Sequence, residues 1–188
     1  MAGARNFMEP KNIDYRKLAA GLDYYESCGY EYMEVPWVVS GEAESATLPP
    51  DATATSVQYG DLVGSAEQGF IELLLRGRTI LKACTITPCF RIEDSYDELH
   101  HAYFMKLELI DTDATPENLQ RMISDARGFL QQYVDTDIEA TGDSTYDIVD
   151  TKHCIELGSY GIRTFNDTAY IYGTGIAPPR LDTVINKQ

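Results

Sequence analysis

The sequence predicts an α+β domain in which an antiparallel β-sheet is flanked by helices, and three stretches carry that expectation. Residues 87–110, TPCFRIEDSYDELHHAYFMKLELI, set strand formers at 89–93 and 103–110 on either side of the polar, turn-prone DSYDEL, which is the pattern of an antiparallel hairpin. Thr115 and Pro116 then read as a helix cap and first-turn proline, and Leu119, Met122, Ile123, Ala126, Phe129 and Leu130 follow at helical spacing. Near the start, Ile13 and Leu18 sit at hydrophobic-staple spacing around Asp14, and Leu18, Leu22 and Tyr25 form an apolar face that Gly29 ends.

The remaining elements follow from local pattern. GYEYMEVPWVV runs from Gly29 into a strand that contains Pro36, and a proline removes a ladder donor, so this strand belongs at a sheet edge or an interface. Residues 40–60 hold few large apolar side chains and read as a mobile loop, a lid over substrate or a disordered segment. Residues 61–65 read as a short strand entering a helix over 66–76, with Ser65 in the capping region and Glu67 favourable to the helix dipole. A strand over 78–86 leads into the hairpin. Residues 135–150 read as an acidic connection with a short strand near 146–149 and no chemistry, and the strands between Ser159 and Gly173 read as short. Gly173 and Gly175 permit close backbone approach before a helix that Arg180 opens and that runs through Val184 and Ile185.

At 188 residues and 44% hydrophobic content the chain can bury one good core, so a single domain over 1–188 is expected, with 1–12 a flexible terminus. Fifteen Lys plus Arg stand against 30 Asp plus Glu, a formal net charge of -15 that repels polyanions and argues against an extended nucleic-acid-binding surface. No long apolar run suggests a membrane span, and the absence of a leader-like segment and of paired cysteines points to a reducing cytoplasm. Cys84, Cys89 and Cys154 admit two readings, a zinc site completed by a His or Glu, or thiols buried in strands, the second being favoured.

The chemistry concentrates in the hairpin. Period two puts Phe104, Lys106 and Glu108 on one face of its second arm, with Arg91 on the first arm: an aromatic to stack on a base, an acid to hold an ammonium and an arginine to neutralise phosphate. Phe90-Arg91-Ile92-Glu93 followed by Phe104-x-Lys106-x-Glu108 resembles motif 2 of the class II aminoacyl-tRNA synthetases, most of all their seryl branch. Gly29, Tyr30, Met33, Val35 and Pro36 resemble motif 1, the dimer-forming element, and Tyr172-Gly173-Thr174-Gly175-Ile176-Ala177-Pro178-Pro179-Arg180-Leu181 resembles motif 3. Ser65-Ala66-Glu67 is similar to the Thr-Ala-Glu with which seryl enzymes hold the amino acid. These stretches occur in family order.

The resemblance implies a class II synthetase-like catalytic core that uses ATP and Mg²⁺ to activate a small amino acid as its adenylate, and that forms a homodimer. It assigns Arg91 to the α-phosphate, Arg180 to the γ-phosphate, Phe104 to adenine and Glu93 to adenine or the motif 2 loop. It assigns Glu156 and Ser159 to ATP and its Mg²⁺, and Ser65, Glu67, Glu108 and Thr174 to the amino acid. The sequence departs from the seryl pattern at His100, which stands where an arginine usually contacts phosphate, and at Tyr172, where an asparagine often precedes the glycines. No coiled-coil arm or anticodon-binding segment is expected in this reduced core. The acceptor is therefore expected to be a carrier protein or another group, other than tRNA or in addition to it. The rival expectations are a synthetase-like regulator that binds nucleotide or amino acid, and the catalytic subunit of a split synthetase.

Overall fold

The computed structural model describes residues 13–49, 52–92 and 95–188. The terminus expected over 1–12 and the candidate residue Glu93 lie outside the described residues. Helix α1 (Tyr15–Ser27) leads to β1 (Glu31–Tyr32), β2 (Val38–Val39), α2 (Gly41–Ser45), β3 (Thr55–Val57), β4 (Gly60–Leu62) and α3 (Ala66–Leu75). Then come β5 (Lys82–Phe90), β6 (Tyr103–Asp111), α4 (Pro116–Leu130), β7 (Thr136–Gly142), β8 (Thr145–Asp150), β9 (Glu156–Phe165), β10 (Thr168–Ile176) and α5 (Pro178–Asn186). Among the described residues the strands form a seven-stranded sheet in the order β1-β5-β6-β10-β9-β8-β7 and a small sheet β2-β4-β3. Every pairing is antiparallel except β1 with β5.

Strand alternation divides the core between the two faces of the large sheet. Cys84, Leu109 and Ile171 join Leu18, Met122 and Phe129 under α1 and α4, whereas their neighbours Ala83, Ile110 and Tyr170 join Phe70 and Ile71 of α3. Phe104, Lys106 and Glu108 share the parity of Ile110, so the polar set of β6 faces α3, as the alternation predicts.

The helix ends form as the sequence indicates. The Asp14 carboxylate accepts from the backbone N–H of Arg16 at 3.0 Å and Lys17 at 3.1 Å, and Gly29 adopts φ +85° after the last turn. Thr115 caps α4 by accepting from the N–H of Asn118 at 3.2 Å, with Pro116 in its first turn.

Several elements differ from expectation. The stretch around Pro36 is not one strand: β1 adds to the edge of the large sheet and β2 joins the small one, with Tyr32, Trp37 and Val38 exposed. Part of the 40–60 segment is regular structure, because Ser40 caps α2 and β3 pairs along β4; backbone and cap hydrogen bonds, rather than large apolar side chains, organise it. The strand expected over 78–86 runs instead from Lys82 to Phe90 and continues through Pro88. Beyond Cys84 no further pairing with the two-residue β1 is needed, so Pro88 offers its missing donor to an open flank. Residues 136–150 form a full hairpin that hydrophobic alternation could not reveal, since β7 is exposed along nearly its whole length. The strands after Ser159 are long, with β9 of ten residues and β10 of nine joined by a turn at Asn166 and Asp167, both at positive φ. Cys84 and Cys89 are buried in β5, as the thiol reading expects, whereas Cys154 is exposed. None of the described helices is long and apolar enough to cross a membrane.

Gly175 sits at a bulge, the extra residue between the pairs Thr174 with Glu108 and Ile176 with Leu107. A Cβ there would run into the Leu107 side chain and lie 2.9 Å from Tyr25 Cε2 and 3.1 Å from the Leu107 carbonyl oxygen. Gly175→Ala is expected to destabilise the fold by about 1–3 kcal/mol through overpacking, measured by urea denaturation. Gly29→Ala, whose Cβ would meet nothing within 4 Å, should lose only about 1 kcal/mol from backbone strain.

Candidate functional site

The site lies where the N-terminus of α3 meets the polar face of β6, β10 and β9. Ser65 caps α3 and its hydroxyl donates to Glu108, 2.6 Å from Oε1 and 2.9 Å from Oε2. The backbone N–H of Glu67 donates to Glu108 Oε2 at 3.2 Å, and Lys106 Nζ reaches Oε1 at 2.6 Å. Burial pushes the Glu108 carboxyl up, but Lys106, Ser65 and Arg91 outweigh it and hold the group below the usual glutamate value. Thr174 stands opposite Glu108 in the β10–β6 ladder and its hydroxyl accepts from the N–H of Ser159 at 3.4 Å.

Glu67 is buried beside this cluster. Its Oε1 accepts from the Tyr170 hydroxyl at 2.8 Å and its Oε2 from Arg163 Nη1 at 2.5 Å. Burial dominates and raises the Glu67 carboxyl, with Arg163 and Tyr170 opposing and the Glu108 charge adding to the rise. The Arg163 guanidinium lies over the Tyr172 ring, 3.9 Å from its centroid. Arg163 pairs across the ladder with Tyr170, so Tyr172 is its diagonal neighbour on the same face.

Glu156 and Ser159 are three residues apart on β9, a spacing that would send them to opposite faces of a regular strand. A bulge at Leu157, between the pairs Ile148 with Gly158 and Val149 with Glu156, returns them to one side, and both line the same cavity. Arg180, in the first turn of α5, reaches Glu156 through Nη1, 2.6 Å from the carboxylate and 3.2 Å from the backbone carbonyl. Asp147 on β8 stands opposite Ser159 in the ladder, and burial raises its carboxyl, with the Glu156 charge adding to the effect.

Ser65, Glu67, Arg91, Glu108, Glu156, Ser159 and Thr174 all border one cavity of about 340 Å³, so seven of the sequence-derived candidates converge. Arg91 Nε donates to the Gly64 carbonyl at 3.1 Å and its guanidinium lies 5.2 Å from the centre of the Phe104 ring. Phe104, His100 and Arg180 border a far smaller cleft of about 20 Å³, with Arg91 common to both spaces. His100 is held in the exposed loop by Asp97 Oδ1, 2.9 Å from Nδ1 and 2.8 Å from the backbone N. Arg163 and Asp147 escaped the sequence reading. Their strands carry no distinctive local motif, and only the register of β8, β9 and β10 brings them to the site.

Structural comparison places this fold among class II aminoacyl-tRNA synthetase catalytic cores. The chain is similar to pyrrolysyl-tRNA synthetase PylSc of Desulfitobacterium hafniense, with TM-score 0.70 and 16% identity over 93% of this chain and 68% of that one. It is similar to the cytoplasmic serine-tRNA ligase of Naegleria fowleri, solved in complex with AMP, with TM-score 0.64 and 15% identity over 87% of this chain and 46% of that one. The seryl-tRNA synthetase of Pyrococcus horikoshii, complexed with ATP, superposes with TM-score 0.66 and 18% identity over 86% of this chain and 47% of that one. This chain thus spans less than half the length of either seryl enzyme. No sequence-family model and no curated protein sequence matches it.

Lys106 and Glu108 are 12% and 5% exposed, so removing one partner strands a buried charge. Glu108→Gln is expected to destabilise the protein by about 3–5 kcal/mol at neutral pH. Because the folded-state Glu108 pKa is depressed, its contribution is present above the unfolded value of about 4.3 and is lost as pH falls through the folded value. Urea titrations of wild type and variant at pH 7 and at successively lower pH should therefore show the gap narrowing on the acid side.

Proposed function

We propose that this protein activates a small amino acid with ATP, forming an aminoacyl-adenylate and passing it to an acceptor other than, or in addition to, tRNA. The observation that carries the reading is the placement of Arg91 between the two spaces, one lined by carboxylates and hydroxyls suited to an amino acid and the other by Phe104, His100 and Arg180. An amino-acid carboxylate on one side of Arg91 would meet the α-phosphorus of ATP on the other. Its oxygen forms the new P–O bond as the bond to pyrophosphate breaks, and the leaving group carries its charge away as pyrophosphate. Catalysis of this kind consists mainly of positioning and charge neutralisation.

In this reading Arg91 holds the α-phosphate, Phe104 stacks on adenine near His100, and Arg180 turns from Glu156 to the γ-phosphate. Glu156 and Ser159 present hard oxygen donors of the kind Mg²⁺ accepts when phosphates and water complete its shell, and the bound ion would neutralise phosphate charge. Exposed Tyr32, Trp37 and Val38 are the side chains that a homodimer of this core would cover. A second reading, a binding module without turnover, draws support from Glu67 and Glu108: each already has internal cationic and hydroxyl partners, so neither stands open to an ammonium.

Amino-acid-dependent exchange of pyrophosphate into ATP, assayed in Mg²⁺ with each common amino acid in turn, tests the proposal. One or two amino acids should support exchange, and Arg91→Ala should reduce it by roughly 10²–10³-fold while the circular dichroism spectrum stays unchanged. Exchange undiminished in the variant would remove Arg91 from the chemistry. No exchange by a folded protein that still binds ATP would leave the binding-module reading.

A further inference from the structure

We propose that the amino acid taken by this cavity carries a second carboxylate, placing it in the aspartate and glutamate class, and that Arg163 grips that group. The inference rests on the reading of the cavity as an amino-acid site. It begins from an inventory of cations: the cavity is bordered by Arg91, Lys106 and Arg163. Lys106 and Arg163 are each paired with a carboxylate, at 2.6 and 2.5 Å, but the Lys106 side chain is 12% exposed whereas that of Arg163 is 41% exposed. Arg91 belongs to the junction with the second cleft, where an α-carboxylate must sit to react. Arg163 is therefore the accessible cation of the three, and with the α-carboxylate at Arg91 a neutral amino acid brings it no anionic group beyond Glu67.

The geometry of Arg163 suits recognition. Its contact to Glu67 runs through Nη1, while the side chain remains 41% exposed and Glu67 beneath it is only 6% exposed. Glu67 thus anchors the guanidinium from below, and the Tyr172 ring at 3.9 Å sets its plane. Among the described residues the Arg163 side chain donates to no acceptor besides Glu67, so donors of the fork remain for a ligand. A carboxylate matches two of those donors at once, which a hydroxyl or an amide oxygen does not. Glu44, a further buried carboxylate bordering the cavity, is available to the substrate ammonium that Glu67 and Glu108 are too engaged to receive.

The test is calorimetric titration of the wild-type protein with aspartate, glutamate, asparagine, glutamine and serine. Aspartate or glutamate should bind at least roughly 100-fold more tightly than its own amide, because a site built around a charged partner rejects an analogue that lacks it. Arg163→Gln should abolish that preference, and Arg163→Lys, which keeps the charge and the tie to Glu67, should weaken it; ATP affinity and the melting transition identify variants that remain folded. Equal or tighter binding of serine or an amide would overturn the proposal, as would an unchanged preference in folded Arg163→Gln. The exchange assay separates the two readings. Exchange with a neutral amino acid and none with an acidic one sustains activation and overturns this inference, acidic binding without exchange does the reverse, and no binding of any amino acid overturns both.

Discussion

The buried carboxylate of Glu108 is the contact on which the site depends. It ties three elements that are distant in sequence: β6, which carries it with Lys106; the cap of α3, through the Ser65 hydroxyl; and the first turn of α3, through the Glu67 N–H. A carboxylate this deep is tolerated only when charge and hydrogen bonds offset its lost hydration, and here a lysine, a hydroxyl and a helix N-terminus do so together. The consequence is positional. With α3 pinned to the sheet by its first turn, Glu67 is carried over β9 and β10, where Tyr170 and Arg163 meet it. Arg163 then has one place to lie, against Tyr172.

Two bulges complete the arrangement. The one at Leu157 turns Glu156 and Ser159 to the same side, and the one at Gly175 lets β10 change register next to Glu108. The glycines of β10 permit a close approach, and what approaches is the core: a Cβ on Gly173 would meet Met122 Sδ and Tyr160 Cδ1, both at 2.6 Å. Two buried tyrosines lock this segment from beneath, Tyr25 donating to the Gly175 carbonyl at 2.7 Å and Tyr160 to the Thr174 carbonyl at 2.6 Å. Backbone irregularity at the site is therefore held by the core under α1 and α4 rather than left to the loop.

What was legible in the sequence follows the same division. The caps of α1, α3 and α4, the alternation of β6 and the polar hairpin are written in neighbouring residues, so periodicity and capping chemistry reach them directly. The ordered motifs then brought Ser65, Glu67, Arg91, Glu108, Glu156, Ser159 and Thr174 to one cavity. Register is different. Arg163 and Asp147 enter through the pairing of β8, β9 and β10, and a strand pairing is a relation between distant segments that no single window contains. The β7 strand shows the limit from the other side, since an exposed edge hairpin held by its ladder leaves no hydrophobic pattern to read.

The charge of the whole chain and the charge of the site pull in opposite directions, and distance decides between them. A formal net charge of -15 acts on an approaching anion mainly beyond the reach of individual side chains, where salt at physiological strength screens it over about 8 Å. Inside the cavity the relevant separations are a hydrogen bond long, so the charges of Arg91 and Arg163 on its wall outweigh the distant surface. An acidic surface therefore opposes extended contact with a polyanion, whose phosphates must lie along it, far more than capture of a small anion that passes it once. The same imbalance constrains the interior. Two arginines of the site are already oriented by the protein, Arg91 by the Gly64 carbonyl and Arg163 by the Glu67 carboxylate. Fixed in this way they lose little freedom when an anion arrives, and what they offer is a set of preoriented donors rather than a diffuse positive field.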